Sequence, residues 1–176
     1  MKAVRLFRKF MFSKESRCVM FKIGDKIAYP MQGAGVIVDI SEEKAGEELH
    51  KYYHVELSHS DLKVMVPVEN SEIVGVRRII ESADIGKVLE VLEAESEPMP
   101  TNWNRRDRAN KEKLQTGDIH VAAGVVRDLV RRDRIKRLST GERKLLGVAK
   151  QILESELVLA GGYTMAEADE LVESHI

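Results

Sequence analysis

The stretch IVGVRRIIESADIGKVLEVLEA (residues 73–94) changes its period halfway along. Its first four residues, Ile73-Val74-Gly75-Val76, are β-branched around one glycine and predict a last short strand. After about Ser82 the spacing turns helical: Ile85, Val88, Leu89 and Leu92 fall on one face of a segment running to Ala94, with Ser82 placed to cap it. A chain that is strand-like before this point and helical after it predicts an α+β protein. The reading is two domains: a small antiparallel β domain over residues 20–79 and an all-α domain over residues 80–176.

Towards the N-terminus, Ile23 to Tyr29 alternates apolar and polar residues until Pro30 ends it. Gly33-Ala34-Gly35 leads into the β-branched run Val36–Ile40, and the polar stretch Ser41–His50 predicts a turn or hairpin tip. Tyr52–Leu57 and Leu62–Val66, the latter closed by Pro67, give two more strands, with Asp61 turning the chain between them. Short strands at such regular spacing predict a small sheet or open barrel. Residues 1–19 are basic and contain Phe7, Phe10 and Phe12. Arg5, Arg8 and Lys9 interrupt any signal-peptide core, so a disordered extension or an upstream start codon is expected.

Towards the C-terminus, Pro98 and Pro100 mark a linker or bend. A helix is predicted over about Asn104–Gln115, ended by Gly117. Asp118 caps a third helix with Ile119, Ala122, Val125, Val126, Leu129 and Val130 inward. Ser139 with Glu142 forms a capping box for a fourth, which Gly161-Gly162 stops, and Thr164 with Glu167 caps a short last one.

Composition excludes several classes. No apolar run approaches the roughly 18–20 residues that span a bilayer. The single cysteine, Cys18, rules out an internal disulfide and any cysteine-cluster metal site, and a reducing cytoplasmic address is the default. No phosphate-binding loop precedes Gly86-Lys87, and no nucleophile elbow occurs. His50 and His54 lie four apart in a strand-like hairpin, too far along it to share one ion; with His59 they are expected to be surface histidines. The expectation is no catalytic residue, no metal and no cofactor.

The net charge of −1 conceals blocks of opposite sign. Residues 21–97 carry 8 Lys/Arg against 16 Asp/Glu, whereas residues 98–150 carry 14 against 6. Within the basic block the only tryptophan, Trp103, stands beside Arg105, Arg106 and Arg108, with Lys111 continuing along the predicted helix. An exposed aromatic ring among cations is the composition of a nucleic-acid contact, where phosphates attract and the ring stacks or wedges. The bland reading makes Trp103 an interdomain packing residue in a protein–protein adaptor; another alternative is a polymerase-independent RNA-binding module. A second group, Arg127, Arg131, Arg132 and Arg134, closes the third helix, where cations complement a helix dipole and so have a partly structural explanation.

Six pieces in order resemble the CarD/CdnL family of bacterial RNA-polymerase-binding transcription factors, over about Met20 to Glu173. They are Phe21-Lys22-Ile23-Gly24-Asp25 with Tyr29-Pro30 and Gly33; Val66-Pro67-Val68-Glu69-Asn70; Pro100-Thr101-Asn102-Trp103-Asn104-Arg105-Arg106; Ala109-Asn110 with Glu112-Lys113-Leu114; Val125-Val126-Arg127-Asp128-Leu129; and Ser139-Thr140-Gly141-Glu142. The resemblance implies a Tudor-like, SH3-like N-terminal domain that binds the polymerase β subunit, a module shared with the transcription-repair coupling factor. It further implies a helical domain that sets a tryptophan at the upstream edge of the promoter bubble and stabilises the open complex. Trp103 matches that wedge, with Arg105 and Arg108 at basic DNA-contacting positions and Arg106, Lys111 and Arg143 completing the expected DNA set. Lys63, Met65, Val66, Pro67 and Tyr53 are the expected polymerase contacts. Met65 departs from the arginine of some relatives, and Glu43-Lys44 is mixed where a basic hairpin is the pattern. The implied partners are the β subunit and promoter DNA, with no membrane, for a monomer held at the nucleoid through polymerase.

Overall fold

The computed structural model describes residues 20–45, 48–60 and 63–176; the expectations for residues 1–19, the hairpin tip at 46–47, and Asp61 with Leu62 lie outside them. Five antiparallel strands, β1 (Lys26–Tyr29), β2 (Gly33–Ala45), β3 (Glu48–Leu57), β4 (Lys63–Pro67) and β5 (Arg77–Arg78), form one sheet in the order β4-β3-β2-β1-β5. The sheet curls around Phe21, Ile27, Ile37, Tyr53, Val55, Leu57, Val66 and Val76. Phe21 meets Tyr53 edge-on at 5.8 Å, and its backbone N–H donates to the Tyr53 hydroxyl, so the buried phenol keeps a polar partner. At Gly35, paired with Leu57, a Cβ would sit 2.5 Å from the Glu56 carbonyl; only glycine lets β2 and β3 approach there.

Two expectations in this half need correction. The polar stretch Ser41–His50 is mostly strand: β2 and β3 stay in register from Ile40↔Tyr53 out to Ala45↔Glu48, a long hairpin with a polar face on both sides. Ile73–Val76 is not a strand. It lies in successive turns in which Val74 N–H donates to Asn70 and Val76 N–H to Ser71, leaving Ile73 81% exposed. Local carbonyls take up those donors, and sheet pairing waits for Arg77–Arg78 against Ala28 and Ile27.

Five helices follow: α1 (Ile85–Glu93), α2 (Trp103–Gln115), α3 (Ile119–Ile135), α4 (Thr140–Gly161) and α5 (Met165–Ser174). Ser82 opens a 3₁₀ turn to Asp84, and Asp84 rather than Ser82 is the capping residue of α1, without a side-chain cap bond. The other starts follow the predicted chemistry. Asp118 accepts from His120 N–H, and both capping boxes, Ser139/Glu142 and Thr164/Glu167, close. Gly162 ends α4 in the left-handed region (φ 73°). Val88, Leu92, Val126, Leu129, Leu153, Leu157 and Val172 are fully withdrawn from solvent in a second core; each such side chain is worth about 1.5–3 kcal/mol of transfer free energy. None of the described helices is long and apolar enough to cross a membrane.

Two arginines of the basic block turn toward the end of α1. Arg127 donates to Asp128 and to the Val91 carbonyl. Arg131 donates to the carbonyls of Leu92, Glu93 and Ala94. These two residues of α3 satisfy the orphan C-terminal carbonyls of α1, not only their own helix dipole.

Buried Glu154 on α4 sits against Asp169 and Lys150. Burial, then the Asp169 charge, pushes its carboxyl up to about 7, and its Oε1 has no hydrogen-bond partner. A folded-state value above the unfolded one means a cost absent below about pH 4.5 and complete above about pH 7. Glu154→Gln is therefore expected to raise stability at pH 8 by about 1–3 kcal/mol and to change it little at pH 4. Denaturant midpoints at the two pH values test this; equal shifts at both would contradict it.

The two cores meet along α4. Ala34 N–H donates to Ser155 Oγ (2.8 Å), Ser58 Oγ to the Ser155 carbonyl (3.1 Å), and Lys26 Nζ to the Leu159 carbonyl (2.7 Å). Arg77 forks onto Glu156 at 2.6 and 2.8 Å.

Candidate nucleic-acid interface

Proline at 98 and 100 keeps residues 95–100 out of helix, so α2 must start afresh. Asn102 supplies the cap, its side-chain oxygen accepting from Arg105 N–H at 3.2 Å. Trp103 is the first helical residue and is 52% exposed. Its ring lies over the first turn of α4, where a Cβ on Gly141 would be 3.9 Å from Cζ3, an ordinary van der Waals contact. The alternative in which Trp103 packs between the two halves does not hold, because its neighbour is a helix end within the helical half and much of the ring faces solvent.

A buried ion pair holds this end of α2 in place. Arg106 is 2% exposed and donates to Glu142 through Nε (2.7 Å) and Nη2, and to the carbonyls of Pro100 (2.7 Å) and Thr101 (3.1 Å). Glu142 serves two helices at once. Oε1 takes Arg106, while Oε2 accepts from the Ser139 N–H and hydroxyl at the start of α4. Burial alone would raise its carboxyl, but the bonds from Ser139 and Arg106 outweigh that and bring it down to about 2. Arg106, expected among the DNA contacts, is thus placed inside the fold with its donors occupied.

The remaining cations divide into two places. Arg105, Arg108 and Lys111 are exposed on the outer face of α2. Arg108 pairs with Glu112 at 2.8 Å and Lys111 with Asp107 at 2.6 Å, both at helical i,i+4 spacing; solvent screens such surface pairs, and they yield readily to a phosphate. Arg105 has no ion pair among the described residues. Arg143, one residue past Glu142, lines a different hollow with Arg134, Lys150 and Glu173. Lys144 is exposed one turn on from Gly141 and so shares the indole's side of α4. It went unnoticed in the sequence because nothing local marks which side of α4 carries the tryptophan.

The expected polymerase contacts gather at an edge of the sheet. β4 pairs with β3 through Val64↔Val55, Met65↔His54 and Val66↔Tyr53, and its outer edge has no strand partner among the described residues. Lys63 and Met65 (42% exposed) point to solvent and Pro67 is half-buried. Val66 and Tyr53 are core residues that support this edge from behind.

His50, His54 and His59, expected at the surface, are half-buried and separately engaged. His54 bonds to Ser41 (2.7 Å), His59 to Gln151 (2.7 Å), and His50 lies 3.6 Å from Glu69. Among the described residues no cluster of His, Cys, Asp or Glu is arranged for a metal ion.

Comparison with known proteins matches both halves. Residues 21–80 match the CarD-like/TRCF RID domain and residues 87–173 the CarD C-terminal domain. The Bacillus subtilis (strain 168) protein named "Putative transcription factor YdeB" is 35% identical over 145 residues, 82% of this chain and 95% of that protein. A Tudor-like sheet with an open edge strand, joined to a helical half bearing an exposed tryptophan among cations, is thus matched in both parts: the chain belongs to the CarD family, transcription regulators that interact with RNA polymerase.

Proposed function

We propose that this chain binds the polymerase β subunit along the β4 edge and stabilises the open promoter complex by lodging Trp103 at the upstream fork of the bubble. The observation that carries the reading is a half-exposed indole at a helix start, clamped from behind by a buried ion pair and flanked by outward-facing cations. An open strand edge offers main-chain hydrogen bonds to an extended partner segment, and Lys63 and Met65 offer the side-chain selectivity. Arg105, Arg108 and Lys111 meet phosphates and fix position without reading sequence. The indole then offsets the unstacking at the fork, where base–aromatic stacking is worth about 1–3 kcal/mol. Tethering by the β half keeps the ring at the fork at high effective concentration, so a single copy suffices.

The test is the dissociation rate of open complexes formed by the cognate bacterial polymerase, with and without the protein. A slower rate supports the reading; an unchanged rate, with binding to polymerase demonstrated, removes it. Arg105→Glu is expected to lower occupancy by a similar factor on promoters of unrelated sequence, since a phosphate contact carries no code. A loss confined to one promoter would count against that role.

A further inference from the structure

One helix joins the two working ends of the molecule. Near its start, α4 presents Glu142, which holds Arg106 and with it the first turn of α2 under Trp103. Fourteen residues later, about 21 Å along the axis at 1.5 Å per residue, the same helix presents Glu156. Glu156 is 1% exposed, and both its oxygens are taken by the β half. Arg77 of β5 forks onto them, and Ile80 N–H donates to Oε1 at 3.0 Å. Arg77 Nε also donates to the Gly117 carbonyl at 2.7 Å, tying the α2–α3 turn into the same junction. Beside it, Ser155 takes Ala34 N–H, and a Cβ on Gly33 would sit 2.6 Å from Ser155 Oγ, so the strand lies directly on the helix.

We infer that Glu156 is a positioning residue: through α4 it fixes the distance and bearing between the β4 edge and Trp103, making the two halves one rigid gauge. The inference rests on the proposed roles of β4 and Trp103, because only a tethered wedge needs a fixed span from its tether. A fork-side ring on a loose arm would still bind polymerase but would spend less time in register with the unpaired step. Bidentate Arg–carboxylate geometry is suited to such a joint, since it fixes orientation as well as distance. The neighbouring charges belong to the same joint or lie outside it. Arg78 reaches Asp25, and Lys26 reaches the Leu159 carbonyl.

Two variants test this. Glu156→Gln keeps the shape and one acceptor but loses the ionic fork. Arg77→Met/Glu156→Leu removes both charges together, a change that commonly preserves or raises stability. Spin labels at Lys51→Cys on β3 and Glu112→Cys on α2, in a Cys18→Ser background, report the span between halves in the free full-length protein. The expected result is one narrow distance distribution for the parent and a broadened one for both variants. Affinity for an isolated β-subunit fragment is expected to be unchanged, and open-complex lifetime to fall about three- to tenfold, in the direction of the Trp103→Ala variant. A broad distribution in the parent overturns the inference. So does a double variant that is as stable as the parent and keeps both the narrow span and the full lifetime. If Trp103→Ala itself leaves the lifetime unchanged, the fork role fails, and the distance distributions alone decide whether Glu156 sets the span.

Discussion

Trp103→Ala is expected to shorten open-complex lifetime about tenfold while leaving affinity for polymerase unchanged. The magnitude follows from the interaction removed: stacking of a base on an aromatic ring contributes about 1–3 kcal/mol, and 1.4 kcal/mol acting on the open state alone changes its collapse rate about tenfold. The separation of effects follows from where the side chain sits. Its ring lies against the first turn of α4 at Gly141, and half of it is in solvent, so truncation leaves no large cavity. Trp103→Phe should keep part of the effect, because the smaller ring retains a stacking face. Equal lifetimes for Trp103→Ala and the parent would eliminate the wedge.

Arg106→Ala is expected to be the more damaging change to the fold. Removing Arg106 leaves buried Glu142 with only the more distant Arg132 (3.7 Å) and its Ser139 bonds, at a cost of about 3–5 kcal/mol. For a chain of this size that is a fall in Tm of roughly 6–20 °C. The Pro100 and Thr101 carbonyls lose their donor as well, so the segment leading into Trp103 is released. Arg106→Lys should rescue little, since an ammonium cannot reproduce the fork and reach both carbonyls. The pH dependence gives an independent check. Glu142 is held down to about 2, so its contribution is complete above about pH 4.5 and lost as pH falls through about 2. That acid-side loss should shrink in the Arg106 variant. A Tm within about 2 °C of the parent would show that the pair is not a structural clamp.

The change of period near Ser82 made the division into sheet and helices legible, and capping chemistry located the starts of α3, α4 and α5, because these signals are local. Signals that depend on tertiary surroundings were misread. Ile73–Val76 has the composition of a strand, but its donors close turns with the residues just before it. Ser41–His50 looks like a loop because both faces of the long hairpin are polar, which hides its alternation. The candidate interface was half legible. Trp103, Arg105 and Arg108 stand together in sequence, and all three are exposed at the start of α2. Arg106 is indistinguishable from them along the chain, and only its orientation toward Glu142, 36 residues away, takes it inside. Arg143 belongs to a neighbouring turn of sequence yet faces another hollow, since one step along a helix rotates a side chain by about 100°. Glu156 gives no local sign at all, being one acidic residue in an acidic stretch.

The open edge of β4 has a consequence for the protein when no polymerase is present. An unpaired strand is a template for any extended chain, another copy of this protein included, and natural sheets blunt such edges with charge, brevity and proline. β4 is five residues long, begins at exposed Lys63 and ends at Pro67, which has no amide hydrogen to donate. Two edges of this kind brought side by side would oppose lysine to lysine in one register and lose a ladder bond at the proline in others. The same few residues that leave the edge open to a foreign strand thus disfavour edge-to-edge pairing between two copies of the chain.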